Sequence, residues 1–188
     1  MARSAAICQR DLNEFNPIQT VVQSLTVASR THEIRPARPA DAGRLAFIDA
    51  DVSVSPWSKR QFIRACSEDS RETHTVLVVA ENGRVDGFVV FSQVLDEASI
   101  HNIAIHSGYQ GRGLGHVLLK ATLDQMECAG AARCLLEVRE SNAVARKLYA
   151  RYGFELDGVR KSYYPAQDGR EDALLMSRPL EGISNERA

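Results

Sequence analysis

The segment "GYQGRGLGHVLLKATLDQMECAG", residues 108–130, decides how this chain folds. It places Gly111, Gly113 and Gly115 within five residues and then continues into an apolar pattern of helical spacing. Glycine is costly to order and packs no side chain, so such a cluster before a helix indicates that something approaches the main chain closely. Unpaired N–H groups at a helix start, reached over glycines, suit an anion such as a pyrophosphate. A flexible turn that only caps the helix is the alternative interpretation.

Two familiar phosphate-binding motifs are absent from this segment. The dinucleotide-binding motif GxGxxG needs a further glycine or alanine at a fixed offset, and the Walker A motif needs Gly-Lys followed by Ser or Thr. Neither pattern occurs here. The pattern that remains is Gln110-x-x-Gly113-x-Gly115, between a predicted strand and a predicted helix.

Around this segment, predicted strands and helices alternate along the chain. Ser58 and Gln61 stand in capping-box register at a helix start, and Asn82-Gly83 joins two apolar runs as a hairpin turn. From residue 34 onward the predicted order is β-α-α-β-β-β-α-β-α-β-β. This order indicates an α/β fold of the α+β kind, a mixed sheet with helices on both faces. Its last two strands, near residues 154–160 and 172–178, flank the connection "YYPAQDG".

The composition is that of a globular domain of ordinary size. The chain has 188 residues, of which 44% are hydrophobic and 25% charged, and its 24 acids nearly balance its 23 Lys and Arg residues. Nothing in this balance points to nucleic acid or an anionic membrane as a partner. The cysteines lack CxxC spacing and the five histidines lack ligand spacing, so we expect reduced thiols in a cytoplasmic protein and no metal. The cysteines are Cys8, Cys66, Cys128 and Cys134.

We divide the chain into an N-terminal extension (1–33), one domain (34–180) and a C-terminal tail (181–188). In the extension, Ile18, Val21, Val22 and Leu25 follow the spacing of a short amphipathic helix. A frayed or disordered extension is an equal alternative. We assign no function to this segment.

The pattern Gln110-x-x-Gly113-x-Gly115 resembles the acetyl-coenzyme A motif of the GNAT N-acetyltransferases. Four blocks, "VLDEASIHNIAI", "YQGRGLG", "LEVRESNAVARKLYARYGF" and "YYPAQDGREDALLM", are similar to the RimI family within that superfamily, as is "SPWS". The resemblance covers about residues 34–180. It implies the GNAT fold, a central mixed and mostly antiparallel sheet with helices on both faces.

The resemblance also implies an activity. RimI enzymes acetylate the N-terminal alanine of a small-subunit ribosomal protein, the eighteenth, with acetyl-CoA as co-substrate and no metal. The implied partner is the tail of that protein, in the cytoplasm, with no direct nucleic-acid or membrane contact.

By the same resemblance, Glu137 is the general base and Tyr149 the proton donor to the coenzyme A thiolate. A carboxylate inside the apolar run "CLLEV" is expensive unless it has a task or a partner. The alternatives are a glutamate on the solvent face of a strand and a tyrosine packed under the sheet.

The implied coenzyme site combines main-chain groups of one strand with the glycine loop. The strand is expected to diverge from its neighbour and leave N–H and C=O groups for the pantetheine arm. Arg112 is either a phosphate contact or a solvated arginine, and Asn142 either a coenzyme contact or a helix cap. The expected residues are Ile103, Ala104, Ile105, Gly111, Arg112, Gly113, Leu114, Gly115, His116 and Asn142.

An acceptor groove is expected to carry acidic and aromatic side chains that attract a basic protein tail. Ordinary rim charges are the alternative for many of them. The segment "IHSGYQ" departs from the Asp-Pro that the family usually has here, and we interpret His106 as a residue of a solvated turn. The groove candidates are Trp57, Asp96, Glu97, Tyr163, Tyr164, Asp168, Glu171 and Asp172.

Two other functions remain open at this stage. One is an acetyltransferase of broader peptide or small-amine specificity, and the other is a non-catalytic acetyl-CoA-binding module. Glu137 and Tyr149 together disfavour the module, since a degraded site would be free to lose them. Turnover with an alanine-ended peptide separates these functions, whereas coenzyme binding does not.

Overall fold

The computed structural model describes residues 23–27, 30–67, 74–166 and 168–181. Its strands are β1 (Gln23–Val27), β2 (Arg30–Pro36), β3 (Thr75–Glu81), β4 (Arg84–Val94), β5 (Glu97–Ile105), β6 (Arg133–Arg139), β7 (Glu155–Ala166) and β8 (Gly169–Pro179). Its helices are α1 (Ala42–Val52), α2 (Lys59–Ala65), α3 (Leu114–Cys128) and α4 (Ala143–Arg151). The strands form one sheet in the order β1-β2-β3-β4-β5-β6-β8-β7. Only β5 and β6 run parallel, so the predicted mixed and mostly antiparallel sheet is confirmed.

Local signals in the sequence set the ends of several elements. The Ser58 side chain accepts a bond from the Gln61 N–H, and the Ser58 N–H donates to the Gln61 side-chain oxygen, which is the expected capping box. Asn82 and Gly83, with φ of 50° and 81°, form the turn between β3 and β4. Such positive angles are what a two-residue hairpin turn requires.

Each face of the sheet has its own hydrophobic core. Helices α3 and α4 cover one face, where residues such as Leu118, Met126 and Leu136 are buried. Helices α1 and α2 cover part of the other face, where Leu45 and Phe62 are buried. The expected helices on both faces are therefore present, and two separate layers of side chains hold them to the sheet.

The short amphipathic helix, one of the two alternatives for the N-terminal extension, is not formed at Leu25. Gln23–Val27 is a strand that pairs antiparallel with β2, so Leu25 does not lie in a helix. Pairing with β2 satisfies the main chain there and overrides the helical spacing. Ile18, Val21 and Val22 lie outside the described residues.

The final hairpin is longer than expected, because β7 continues to Ala166 and β8 begins at Gly169. Most of "YYPAQDG" is therefore strand. The pairing shifts between Arg160 and Tyr164, where Ser162 has a φ of 51°. Because of this irregularity the sequence lacks a regular strand pattern there. Within the described residues, no helix has the length and apolar character needed to cross a membrane.

Candidate active site

The site is built around an opening between β5 and β6. These strands pair only from Glu97 to Ile100 on β5, opposite Arg133 to Leu136 on β6. A bulge in the pairing of β4 and β5 follows, with His101 as the extra residue. Beyond it β5 stays with β4 and β6 stays with β8, so the two strands diverge. The expected divergence of this strand is therefore present.

The end of β5 presents main-chain groups to this opening. Ile103, Ala104 and Ile105 pair on one side with β4 and have no partner strand on the side of β6. The carbonyl group of Ile105 accepts a hydrogen bond from the Gln110 side chain at 2.9 Å. The glutamine of the sequence motif thus fastens the glycine loop to β5.

The glycine loop leads into the start of α3 with six consecutive N–H groups, from Gly111 to His116, that have no acceptor among the described residues. Gly111 and Gly113 have φ of 73° and 83°, which L side chains rarely adopt. Gly113 is the N-cap of α3. Six free donors at the N-terminus of a 15-residue helix are what an anion site needs, and that site stays a prediction.

Aromatic and guanidinium groups hold this loop in place. The Tyr109 ring lies between the guanidinium carbons of Arg84, at 4.5 Å, and Arg112, at 5.0 Å. Arg112 also donates to the Gly108 carbonyl group at 3.0 Å. Its side chain thus contacts the loop, and its main-chain N–H group is one of the free donors.

Helix α4 closes the site from the other side. The Asn142 side chain accepts a bond from the Ala145 N–H at 3.0 Å, so it caps this helix. The Tyr152 hydroxyl donates to the His116 carbonyl group at 2.8 Å and ties α4 to the first turn of α3. A Cβ atom on Gly115 would lie 3.6 Å from Leu148 of α4. The glycine loop, β5 and α4 therefore meet at this point.

Tyr149 lies on the face of the sheet that α3 and α4 cover. It is 4% exposed and packs in the core with Leu136 and Val138 of β6. Burial raises the pKa of its hydroxyl above the usual value, and nearby Cys134 and Tyr164 raise it further. The described residues offer this hydroxyl no hydrogen-bond partner. Tyr149 is thus a protonated donor without an acceptor.

Glu137 lies on the opposite face of the same strand. Strand β6 alternates, with Leu136 and Val138 buried and Glu137 exposed between them. Its Oε1 atom is 3.0 Å from Nη1 of Arg160 on β7, and its side chain is 32% exposed. The alternative of a glutamate on an open strand face is correct about its exposure, but the carboxylate has a specific partner.

Tyr164 links the two predicted catalytic residues. Burial raises the pKa of Tyr164, and the negative charge of Glu137 raises it further. Tyr164 also acts electrostatically on Tyr149. Its ring lies 4.4 Å from the guanidinium carbon of Arg139. Tyr164 is the groove candidate that the structure places closest to the predicted chemistry.

Trp57 lies at the rim of the same region. Its N–H donates at 2.7 Å to Asp49, a buried carboxylate that also accepts a bond from the Asn102 side chain of β5. Burial raises the pKa of Asp49. This carboxylate therefore fixes the loop before α2 against β5, next to the opening.

The acidic groove candidates were partly misplaced. Asp96 and Glu97 lie at the turn between β4 and β5, at the far end of β5 from Ile105, so the structure does not bring them to the site. A nine-residue strand of roughly 3.3 Å per residue separates the two ends. Asp168 is exposed at the turn between β7 and β8.

The remaining acids near the site are paired with cations. Glu171 contacts Arg139 at 2.5 Å, and Asp172 contacts Lys161 at 2.6 Å. The hydrogen bonds from Lys161 and the Ser162 N–H lower the pKa of Asp172. The hydrogen bonds from Ser141 and Arg139 lower the pKa of Glu171. An unbalanced acidic surface is therefore not formed by these residues.

Sequence reasoning missed Arg160, the partner of Glu137. Its only signal was the basic pair in "VRKSYY", on a strand predicted to end there. His106 is a turn residue, as expected: its Nδ1 accepts from the Gly108 N–H at 3.1 Å and its ring stacks on Phe47. Within the described segments, no group of three or more His, Cys, Asp or Glu could hold a metal ion.

Comparison with known proteins places these features in a family. Residues 42–154 match the model of the Acetyltransferase (GNAT) family. The chain is 41% identical over 133 residues to the [ribosomal protein bS18]-alanine N-acetyltransferase of Escherichia coli K12. The aligned residues make up 71% of this chain and 87% of that protein.

Solved structures agree with this match. The crystal structure of the ribosomal-protein-S18-alanine N-acetyltransferase from Escherichia coli superposes with a TM-score of 0.75 at 34% identity, over 84% of this chain and 99% of that one. The fold is also that of the Salmonella typhimurium protein yncA, solved with its cofactor acetyl-CoA. That match has a TM-score of 0.69 at 21% identity and covers 84% of this chain and 98% of the other.

Proposed function

The chain belongs to the GNAT family of acetyltransferases, and on that premise we propose that it acetylates the N-terminal alanine of ribosomal protein bS18 with acetyl-CoA. The E. coli relative carries this activity in its name and shares 41% of the aligned residues. A ribosomal substrate assigns the reaction to the cytoplasm. Neither a metal nor a nucleic acid is needed for it.

The residues of this chain suit acetyl-CoA. The free N–H groups from Gly111 to His116 offer donors for the pyrophosphate, with the positive end of α3 behind them. The side of β5 that β6 leaves unpaired, at Ile103 and Ala104, offers main-chain groups for the pantetheine amides. One of these N–H groups is suited to hold the thioester oxygen as charge develops on it.

Proton transfers at the nitrogen and at the sulfur accompany the transfer of the acetyl group. The acceptor arrives as an α-ammonium group, whose pKa is about 8, so its nitrogen must lose a proton before it forms a bond. Glu137 takes that proton, the nitrogen forms a C–N bond to the acetyl carbon and loses its second proton to water, and the C–S bond of the thioester breaks. Tyr149 gives its hydroxyl proton to the departing sulfur. Because burial raises the pKa of Tyr149, the proton stays on the oxygen until the sulfur needs it.

The observation that supports this assignment best is the placement of the two side chains on opposite faces of β6, beside the opening. The acceptor then reaches the thioester from the face of Glu137, while the coenzyme lies on the face of α3 and α4. A core tyrosine and a surface glutamate would not need this relation to a gap in the sheet.

The test is turnover of a peptide with the N-terminal sequence of bS18. We expect fast transfer to the peptide that begins with alanine and much slower transfer to the same peptide beginning with leucine. A peptide with a blocked N-terminus and a free internal lysine is the control and should be nearly inert. Acetylation mainly of internal lysine, or of a small amine in preference to any peptide, would replace the proposal with a broader acetyltransferase. Coenzyme binding without turnover would replace it with a binding module.

A further inference from the structure

Arg160 lies on β7 and contacts Glu137 on β6, although these two strands are not adjacent in the sheet. Strand β8 lies between β7 and β6, so the two main chains are roughly 10 Å apart, twice the spacing between adjacent strands. Ala173 is paired with Arg160 on one side and with Arg139 on the other. The small side chain of this alanine leaves room for the arginine to extend across β8. The guanidinium group ends 3.0 Å from the carboxylate of Glu137.

This ion pair differs from the other two on the same part of the sheet. Glu171 pairs with Arg139 and also accepts from the Ser141 N–H. Asp172 pairs with Lys161 and also accepts from the Ser162 N–H. Main-chain donors would hold both carboxylates even without their cations. Glu137 has Arg160 as its one partner among the described residues.

A single cation on the predicted base has a chemical consequence. The acceptor of the proposed reaction is itself a cation near neutral pH, since an α-amino group has a pKa of about 8. It must approach the same carboxylate to lose its proton. We propose that Arg160 is an acceptor-site residue that occupies Glu137 between turnovers and is displaced by the incoming α-ammonium group. This inference rests on the proposed function and adds to it the step by which the acceptor enters.

The surroundings of Arg160 permit such an exchange. Its side chain is 50% exposed, and its guanidinium carbon lies 5.3 Å from the centre of the Tyr163 ring. The pairing of β7 with β8 shifts directly after Arg160, so this side chain lies where the regular strand pairing ends. The guanidinium group keeps a partner in Tyr163 when it leaves the carboxylate. Meanwhile Glu137 exchanges one cation for another and is never left uncompensated.

The exchange predicts a change in acceptor affinity without a change in chemistry. Arg160→Met keeps the length of the side chain and removes its charge. Acceptor binding then no longer displaces an ion pair. Breaking an ion pair of this exposure weakens binding by a factor of about 1.5 to 5 in the equilibrium constant. The KM for the alanine peptide, at saturating acetyl-CoA, should fall by that factor while kcat stays within about twofold. Arg160→Lys retains a cation and should behave like the wild type.

Lys161→Met is the matched control, because it removes the neighbouring charge, whose partner is Asp172. Its KM should be unchanged, and circular dichroism should show all three variants folded. An unchanged or higher KM in Arg160→Met, or a large loss of kcat, would overturn the exchange and make Arg160 a residue that positions Glu137. If the wild-type enzyme does not turn over the alanine peptide, the proposed function itself is overturned, and the exchange with it. Wild-type turnover with unchanged KM in Arg160→Met would overturn the exchange alone.

Discussion

At the scale of single residues, Glu137 is exposed to solvent and ion-paired, and Tyr149 is buried without a partner. These environments suit opposite tasks. A carboxylate at the solvent side can release each proton it takes to water. A buried phenol with a raised pKa stays protonated at neutral pH and can act as a proton donor.

The role of Glu137 predicts a pH-dependent defect. Glu137→Gln should lower kcat/KM at neutral pH by roughly 10²–10⁴, the usual loss for a general base. The loss should shrink as pH rises, because more of the acceptor amine is then already neutral. Glu97→Gln, at the far end of the sheet, is the control and should keep wild-type rates. Wild-type rates for Glu137→Gln at every pH would remove this residue from the mechanism.

Tyr149 predicts a defect of another kind. Tyr149→Phe should lower kcat by on the order of 10² or more and leave acetyl-CoA affinity, measured by calorimetry, nearly unchanged. Because burial raises the pKa of this hydroxyl, the proton-donating form persists at higher pH. The kcat profile of the wild type should therefore show no fall from tyrosine ionisation up to about pH 10, the ordinary pKa. A fall at lower pH that Tyr149→Phe abolishes would contradict this assignment.

At the scale of elements, the start of α3 is where backbone geometry and function can be separated. Gly115 is helical, and an added Cβ would meet only ordinary contacts, at 3.6 Å from Leu148 and 3.9 Å from Ile105. Gly115→Ala should therefore keep the fold and stabilise it by about 0.5–1 kcal/mol, the usual gain for alanine in a helix. If the coenzyme approaches the main chain here, its affinity should nevertheless fall several-fold in calorimetry.

Gly43→Ala provides the matched control for that prediction. Gly43 is also helical, in α1, and an added Cβ would meet only the flexible end of Lys59 at 3.8 Å. The temperature of thermal unfolding should rise in both variants, whereas acetyl-CoA affinity should fall only in Gly115→Ala. Equal affinities in the two variants would show that no ligand lies close to Gly115.

The elements also explain what could be predicted from the sequence. Asn82-Gly83 and the pair Ser58 and Gln61 act over two to four residues, so their turn and cap followed from local chemistry. The length of β7 and β8 did not, because Ser162 adopts a φ of 51° within a run that resembles a loop. The resemblance named Glu137 and Tyr149, but the pair of Glu137 with Arg160 depends on strand order. No local sequence pattern indicates that a side chain on β7 contacts one on β6 across β8.

At the scale of the whole molecule, charge balance replaces the expected acidic groove. The net charge is −1, and Glu137, Glu171 and Asp172 near the opening are each bound to a cation. If the proposed exchange occurs, we expect selection of the acceptor to depend on the shape of the groove and on Glu137 more than on long-range attraction. This is a correction to the expectation that exposed acids steer a basic tail.

The central claim is that this chain acetylates the N-terminal alanine of bS18. It is tested most directly by the intact mass of bS18, with tandem mass spectrometry of its N-terminal peptide, from cells with and without the gene for this chain. We predict that bS18 from deleted cells is lighter by one acetyl group at its N-terminal alanine. The wild-type gene should restore this mass and a Glu137→Gln gene should not. Full acetylation of that alanine in the deleted cells would contradict the account.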